Sequence, residues 1–163
     1  MIVVADTSVI LNLALVGQDA LLRVVFREVF VPPAVQGEFA RLAASEGRFS
    51  GLALASWIQV CPPAAIPERI SRNTELDRGE AEALALAVEM HADAVLIDEA
   101  AGRHAALELG LTPVGVLGIL VRAKRQGQLA AVGPVIDALL ARAQFRASAE
   151  LLQEVLRMAG EAP

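Results

Sequence analysis

Cysteine is nearly absent from this chain of 163 residues. The lone Cys61 cannot close an internal disulfide and has no thiolate partners for a metal, so a disulfide scaffold and a cysteine zinc site are excluded. A cytoplasmic setting is expected. Long apolar runs are also missing, although hydrophobic residues make up 55% of the chain. The longest charge-free stretch, Phe49 to Pro67, is interrupted by Ser50, Ser56, Gln59 and three prolines. It cannot form the roughly 20-residue apolar helix that crosses a bilayer, and no membrane association is expected. The N-terminus, MIVVADTSVI, lacks a positive segment and places Asp6 where a signal peptide would be apolar, so it reads as a buried strand. No HExxH, paired CxxC or GxxxxGK[ST] occurs, which removes local support for zinc hydrolysis or nucleoside-triphosphate chemistry. Internal repeats, low-complexity tracts and linkers are missing as well. The expected organisation is one domain, with 134–163 a helical C-terminal extension packed on it.

Lysine is scarce in turn. Of 14 basic residues only Lys124 is a lysine, leaving 14 − 1 = 13 arginines. Arginine suits bidentate phosphate contacts, but genomic composition is the simpler cause of the bias. The net charge of −5 argues against a nucleic-acid partner. That objection weakens if acids are metal ligands, because two divalent cations would take −5 to −1 and would sit where a phosphate must go.

What is present is an alternation of strands and helices. Ile2 to Ala5 is a β-branched run, followed by an apolar helix with Ser8 as its cap and a second helix from Asp19 to Arg27. Val29 to Val31 reads as a strand; Pro32 and Pro33 end it and open a helix from Ala34 to Glu46, which carries Glu38. Trp57 to Val60 is a short strand. The segment DRGEAEALALAVEMH, from Asp77 to His91, has an N-cap acid and strong helix formers. Ala94 to Ile97 is a continuous apolar strand ending at Asp98, and helix (Glu99 to Leu109), strand (Pro113, Val114) and helix (Val116 to Gln126) follow. Helices over Pro134 to Phe145 and Ser148 to Met158 complete the chain. The fold class is therefore α/β: three layers, α/β/α, around a mostly parallel sheet of about five strands.

In such sheets ligands bind beyond the carboxyl ends of the strands, where Asp6 and Asp98 fall. Each acid also has a structural reading. Asp6 could serve a helix dipole, Asp77-x-x-Glu80 reads as a capping box, and Glu38 beside Val35 and Phe39 could be an ordinary exposed acid. Glu82 is read as solvated surface, and Glu99 and Arg103 as a helix-surface ion pair. His91 and His104 lack ligand spacing, and the basic residues Arg122, Lys124 and Arg125 at a helix end are expected for the dipole alone. Carboxylates placed together would suit Mg²⁺ or Mn²⁺, which supply what phosphodiester hydrolysis needs at neutral pH.

The segments VADTSVI, VPPAVQGEF, DRGEAEALALA and AVLIDEAAGR resemble the four acidic motifs of PIN domains, the fold of VapC-type toxins. The 18 residues between Glu80 and Asp98 fit that family's helix-then-strand spacing. TPVGVLGILVRAKRQGQL and FRASAELLQEVLRMAGE resemble a prokaryotic subgroup of small predicted nucleases with an extended helical C-terminus. The resemblance implies a Mg²⁺- or Mn²⁺-dependent endoribonuclease acting on RNA, often paired with an antitoxin protein and usually a homodimer. By the same resemblance Asp6, Glu38, Glu80 and Asp98 are the catalytic metal ligands, Glu99 is a further acid, and Ser8 and Arg103 are supporting residues. The third acid is commonly Asp in the toxins, and Glu80 is one methylene longer. The alternative is a PIN-like module that binds nucleic acid or protein without cutting. A small-molecule phosphohydrolase is disfavoured because Asp6 is followed by Thr7 and Ser8, not by a second acid two residues on.

Overall fold

A computed structural model describes residues 1–161, and its architecture follows the apolar pattern closely. The strands are β1 (Ile2–Ala5), β2 (Glu28–Val31), β3 (Gln59–Val60), β4 (Ala94–Leu96) and β5 (Pro113–Val114). All pair in parallel in the order β3-β2-β1-β4-β5. The helices among the described residues are α1 (Thr7–Leu15), α2 (Ala20–Phe26), α3 (Pro33–Ser45), α4 (Glu68–Ser71), α5 (Arg78–Glu89), α6 (Ala100–Glu108), α7 (Val116–Arg125), α8 (Gly133–Arg142) and α9 (Ala149–Met158). Among the described residues no single helix is long and apolar enough to cross a membrane.

Alternation along the strands splits the core in two. Val3, Ala5, Val29, Val31 and Leu96 face one layer with α1, α2, α3 and α7, while Val4, Val95 and Ile97 face the other with α5 and α6. The chain runs outward from β1 through β2 to β3, then restarts on the other side of β1 with β4 and β5. Right-handed crossovers require the connecting helices to change face when the direction reverses, and the two core clusters record that change. The reversal lies between β1 and β4, where Val3, Val4 and Ala5 stand in register with Ala94, Val95 and Leu96. The Asp6 amide donates to the Leu96 carbonyl at 2.9 Å, so the ladder runs to the first acid before the strands part.

Helices α8 and α9 complete the first layer through Val135, Ile136, Leu139, Val155 and Ala159. Their attachment is also polar. Glu161 accepts from the Val132 and Gly133 amides at 2.7 and 2.9 Å and pairs with Lys124 at 2.8 Å.

Some local expectations shift. Helix α1 begins at Thr7 with Asp6 in the cap position, two residues earlier than the Ser8 cap expected, because the chain turns directly off the strand end. The strand expected over Trp57 to Val60 shrinks to Gln59–Val60, since only these residues meet β2. Glu82 is not solvated surface: its side chain is 14% exposed and accepts from the Ala34 amide at 3.1 Å, closing the N-terminus of α3, with Arg78 on its outer side.

Candidate active site

Asp6 leaves β1 into the recess between β1 and β4, and its residue is only 4% exposed. Its Oδ1 is buried without a hydrogen-bond partner. Burial raises its carboxyl most, opposed by the Thr7 backbone amide and reinforced by the charges of Asp77, Glu80 and Glu38, to about 7. An acid held near neutrality by burial and like charges is the environment of a functional carboxylate.

Helix α3 brings Glu38 alongside, where its Oε2 accepts from the Thr7 hydroxyl at 2.9 Å. Helix α5 brings Glu80, 4% exposed, from the opposite layer. The capping box is real: Asp77 Oδ1 accepts from the Glu80 amide at 2.7 Å and Glu80 Oε2 accepts from the Asp77 amide at 2.9 Å. Burial, then the charges of Asp77, Glu99 and Glu38, push Glu80 above its ordinary range against that hydrogen bond. Glycine at Gly102 on α6 lets it sit there, because a Cβ would lie 3.3 Å from Glu80 Oε1 and 2.2 Å from Ile97 Cδ1. Asp6, Glu38, Asp77 and Glu80 line one recess of about 390 Å³, with Thr7, Ser8, Glu75 and Glu99.

Asp98 does not line that recess. It follows β4 as expected, but its carboxylate turns to the N-terminus of α7, with Oδ1 and Oδ2 at 3.3 and 3.2 Å from the Val116 amide. Glycine at Gly115 admits it: a Cβ there would lie 2.2 Å from Asp98 Oδ1 and 3.2 Å from Arg103 Nη1. Burial raises Asp98, while the Val116 amide and Arg103 lower it. Arg103 therefore serves this acid, and its Nη1 also donates to the Ile97 carbonyl at 3.0 Å. No Glu99–Arg103 ion pair forms among the described residues; the exposed Glu99 begins α6 and faces the recess. The Ser8 Oγ is buried and unpartnered like Asp6 Oδ1.

Asp98 borders a second cleft of about 950 Å³ that shares Thr7, Ser8, Glu38 and Glu99 with the recess. This cleft runs between α7 and the C-terminal helices and carries Arg48, Arg103, Arg122, Arg125 and Arg146. Arg48 stacks over Phe49 at 4.4 Å from its centroid and donates to the Ala143 carbonyl at 3.0 Å.

A family model described as the PIN domain matches residues 2–161. The chain belongs to the PIN-domain family. Among curated proteins none matches it. A PIN domain is a nuclease-type fold, and PIN domains typically bind divalent metals. The donor set here is compatible with such an ion: all-oxygen, acidic, and containing one buried carboxylate oxygen with no partner. The acids are not clustered in threes at metal-holding distances among the described residues. Sequence reasoning treated Asp77 only as a helix cap; its charge in the PIN recess, the strongest acting on Asp6, was missed. The signal was available in the glycine of D-R-G-E, placed in a helix's first turn between two acids.

Proposed function

We propose that this PIN domain is a Mg²⁺- or Mn²⁺-dependent endoribonuclease, with Asp6, Glu38 and Glu80 as the acids that face the ion, Asp98 beside them on the N-terminus of α7, and Glu99 at the rim. The observation that carries the reading is Asp6: a buried carboxylate with an unpartnered oxygen, at the point where strand order reverses, faced by other acids. Repulsion of that kind is relieved by a cation. When bound, such an ion polarises a phosphoryl oxygen and makes water a better nucleophile. The overall reaction adds water across one P–O bond, leaving a phosphomonoester on one fragment and a hydroxyl on the other.

The chain's own residues orient these groups. Thr7 fixes Glu38 through its hydroxyl, the capping box fixes Glu80, and Ser8 offers a free hydroxyl between recess and cleft. Arg122 and Arg146 along the adjoining cleft, where Arg48 is already paired with Glu46, supply positive charge for a polynucleotide backbone, which favours RNA over a small phosphate ester. Cleavage of single-stranded RNA with Mn²⁺, with and without EDTA, tests the reading in the wild type, Asp6→Asn and Asp98→Asn. Loss of cleavage in EDTA and in both variants is expected; indifference to chelation, or full activity in Asp6→Asn, sinks it.

The orientation of Asp98 favours a second reading, a PIN module that binds nucleic acid or a partner without cutting, because that carboxylate is committed to α7. Calorimetry with Mn²⁺ separates the two, since a module that only binds has no need of the ion. Action as a toxin restrained by an antitoxin protein, in the cytoplasm and as a homodimer, belongs to the same proposal. Exposed Leu140, Leu151 and Met158 on α8 and α9 offer apolar surface for such contacts, and light scattering of the purified chain reads the oligomer directly.

A further inference from the structure

We propose that Asp77 is a cation ligand as well as a helix cap, and that it forms with Asp6 and Glu38 a cradle for the divalent ion beside Gly79. The inference rests on the metal-dependent reading above and changes which acids make the site.

Gly79 is the second residue of α5, where alanine would favour the helix by roughly 1 kcal/mol. Its backbone is not in the left-handed region, so conformation does not require glycine. Space does. A Cβ at this position would lie 3.1 Å from Glu38 Oε2, 3.4 Å from Asp77 Oδ1 and 3.6 Å from Asp6 Oδ1. Oxygens from three separate segments, the end of β1, the middle of α3 and the cap of α5, thus border one small volume. Capping accounts for where Asp77 stands and the helix dipole welcomes its charge, but an uncharged serine or asparagine would cap as well, so the charge is available for a second use. The cap uses one lone pair of Oδ1 and leaves the rest of the carboxylate open. The third oxygen, Asp6 Oδ1, belongs to a residue more than nine-tenths buried and has no other partner. These oxygens border a space kept clear of side chain but are not drawn together as a direct metal-holding trio, so a hard cation there would keep waters between itself and some of them.

The test is a calorimetric titration of the full chain with MnCl₂ near pH 7.5, run on the wild type, Asp6→Asn, Asp77→Ser, Asp77→Asn, Gly79→Ala and Glu28→Gln. Serine and asparagine keep the cap and remove the charge. Both should weaken Mn²⁺ binding at least tenfold while the helical circular dichroism stays at the wild-type level. Gly79→Ala should weaken it similarly although alanine is the better helix former. Glu28→Gln, an exposed acid at the start of β2 and outside the recess, should change affinity less than threefold. Wild-type affinity in both Asp77 variants, alongside loss in Asp6→Asn, overturns the assignment of Asp77 and leaves the nuclease reading standing. Absence of Mn²⁺ binding in the wild type overturns both. If the serine variant fails to fold, the near-isosteric asparagine variant decides.

Discussion

Replacing Asp6 with asparagine should stabilise this protein at alkaline pH when no divalent ion is present. The Asp6 carboxyl moves from 3.8 to about 7 on folding, chiefly because it is buried. A folded-state pKa above the unfolded one means that the native chain holds the extra proton between these values. Stability from this group is complete below about pH 3.8, falls as pH rises toward 7, and is flat beyond. At about 1.4 kcal/mol per pH unit the full loss is about 4 kcal/mol, spread over a wider range by coupling to Asp77, Glu80 and Glu38. Asparagine has nearly the same shape, carries no charge at any pH, and can donate its amide to the neighbouring carboxylates. In EDTA at pH 8 the variant should therefore exceed wild type by about 2–4 kcal/mol, or about 5–15 °C in Tm. At pH 4 most of that advantage should be gone. Added MnCl₂ at pH 8 should raise the wild-type Tm and not the variant's, since an ion that binds only the native state stabilises it by mass action. Urea denaturation across pH 4 to 8 measures the difference. A variant less stable than wild type by the same amount at every pH would refute the reasoning, because Asp6 would then be a satisfied structural acid.

Three further outcomes follow from other parts of the fold. Gly115→Ala should cost about 1–2 kcal/mol, because its Cβ would fall 2.2 Å from Asp98 Oδ1 and force that carboxylate off the Val116 amide; an unchanged denaturation midpoint would remove Asp98 from its capping role. Glu161 is held down to about 2 by Lys124 and the Val132 and Gly133 amides, so its contribution is present above pH 4.5 and lost as pH falls toward 2. Glu161→Gln should lower stability by about 1–2 kcal/mol at pH 7 and by much less at pH 2, read by thermal melts at the two values. Arg122→Ala and Arg146→Ala should each reduce the salt dependence of single-stranded RNA binding by about one phosphate contact, measured by fluorescence anisotropy in EDTA; unchanged slopes would place the RNA elsewhere.

What the sequence disclosed and what it hid divide along physical lines. Apolar runs such as Ile2–Ala5 and Ala94–Leu96 declare themselves because a parallel strand covered on both faces has no polar positions. The acids at 6 and 98 declare themselves because a charge directly after such a run must lie at the binding edge of the sheet. Glu80 was legible from the family spacing, and its cap from Asp77-x-x-Glu80. The direction of a carboxylate is not written in spacing. Asp98 turns to α7 because Gly115 leaves room and the Val116 amide needs an acceptor, a pairing across 18 residues that neither residue reveals alone. Glu82 looked solvated because its partner, the Ala34 amide, lies 48 residues away.

The same carboxylates therefore carry two loads. Asp77 and Glu80 close the first turn of α5, and Asp98 closes that of α7, while each stands at or beside the acidic recess. A helix N-terminus welcomes an anion, so the fold can hold these acids in place partly by its own backbone. Asp6 is the exception: with Oδ1 buried, unpartnered and faced by like charges, it is the residue whose position the fold stabilises least and a cation would stabilise most. Alanine scanning of this recess would confound the two loads, since an alanine at 77, 80 or 98 removes a cap together with a charge. Serine or asparagine at 77, glutamine at 80 and asparagine at 98 keep an acceptor for the backbone and delete only the charge. Where such a variant holds its melting temperature but loses Mn²⁺, the acid is there for the ion; where it loses both, the cap and the site cannot be separated at that residue.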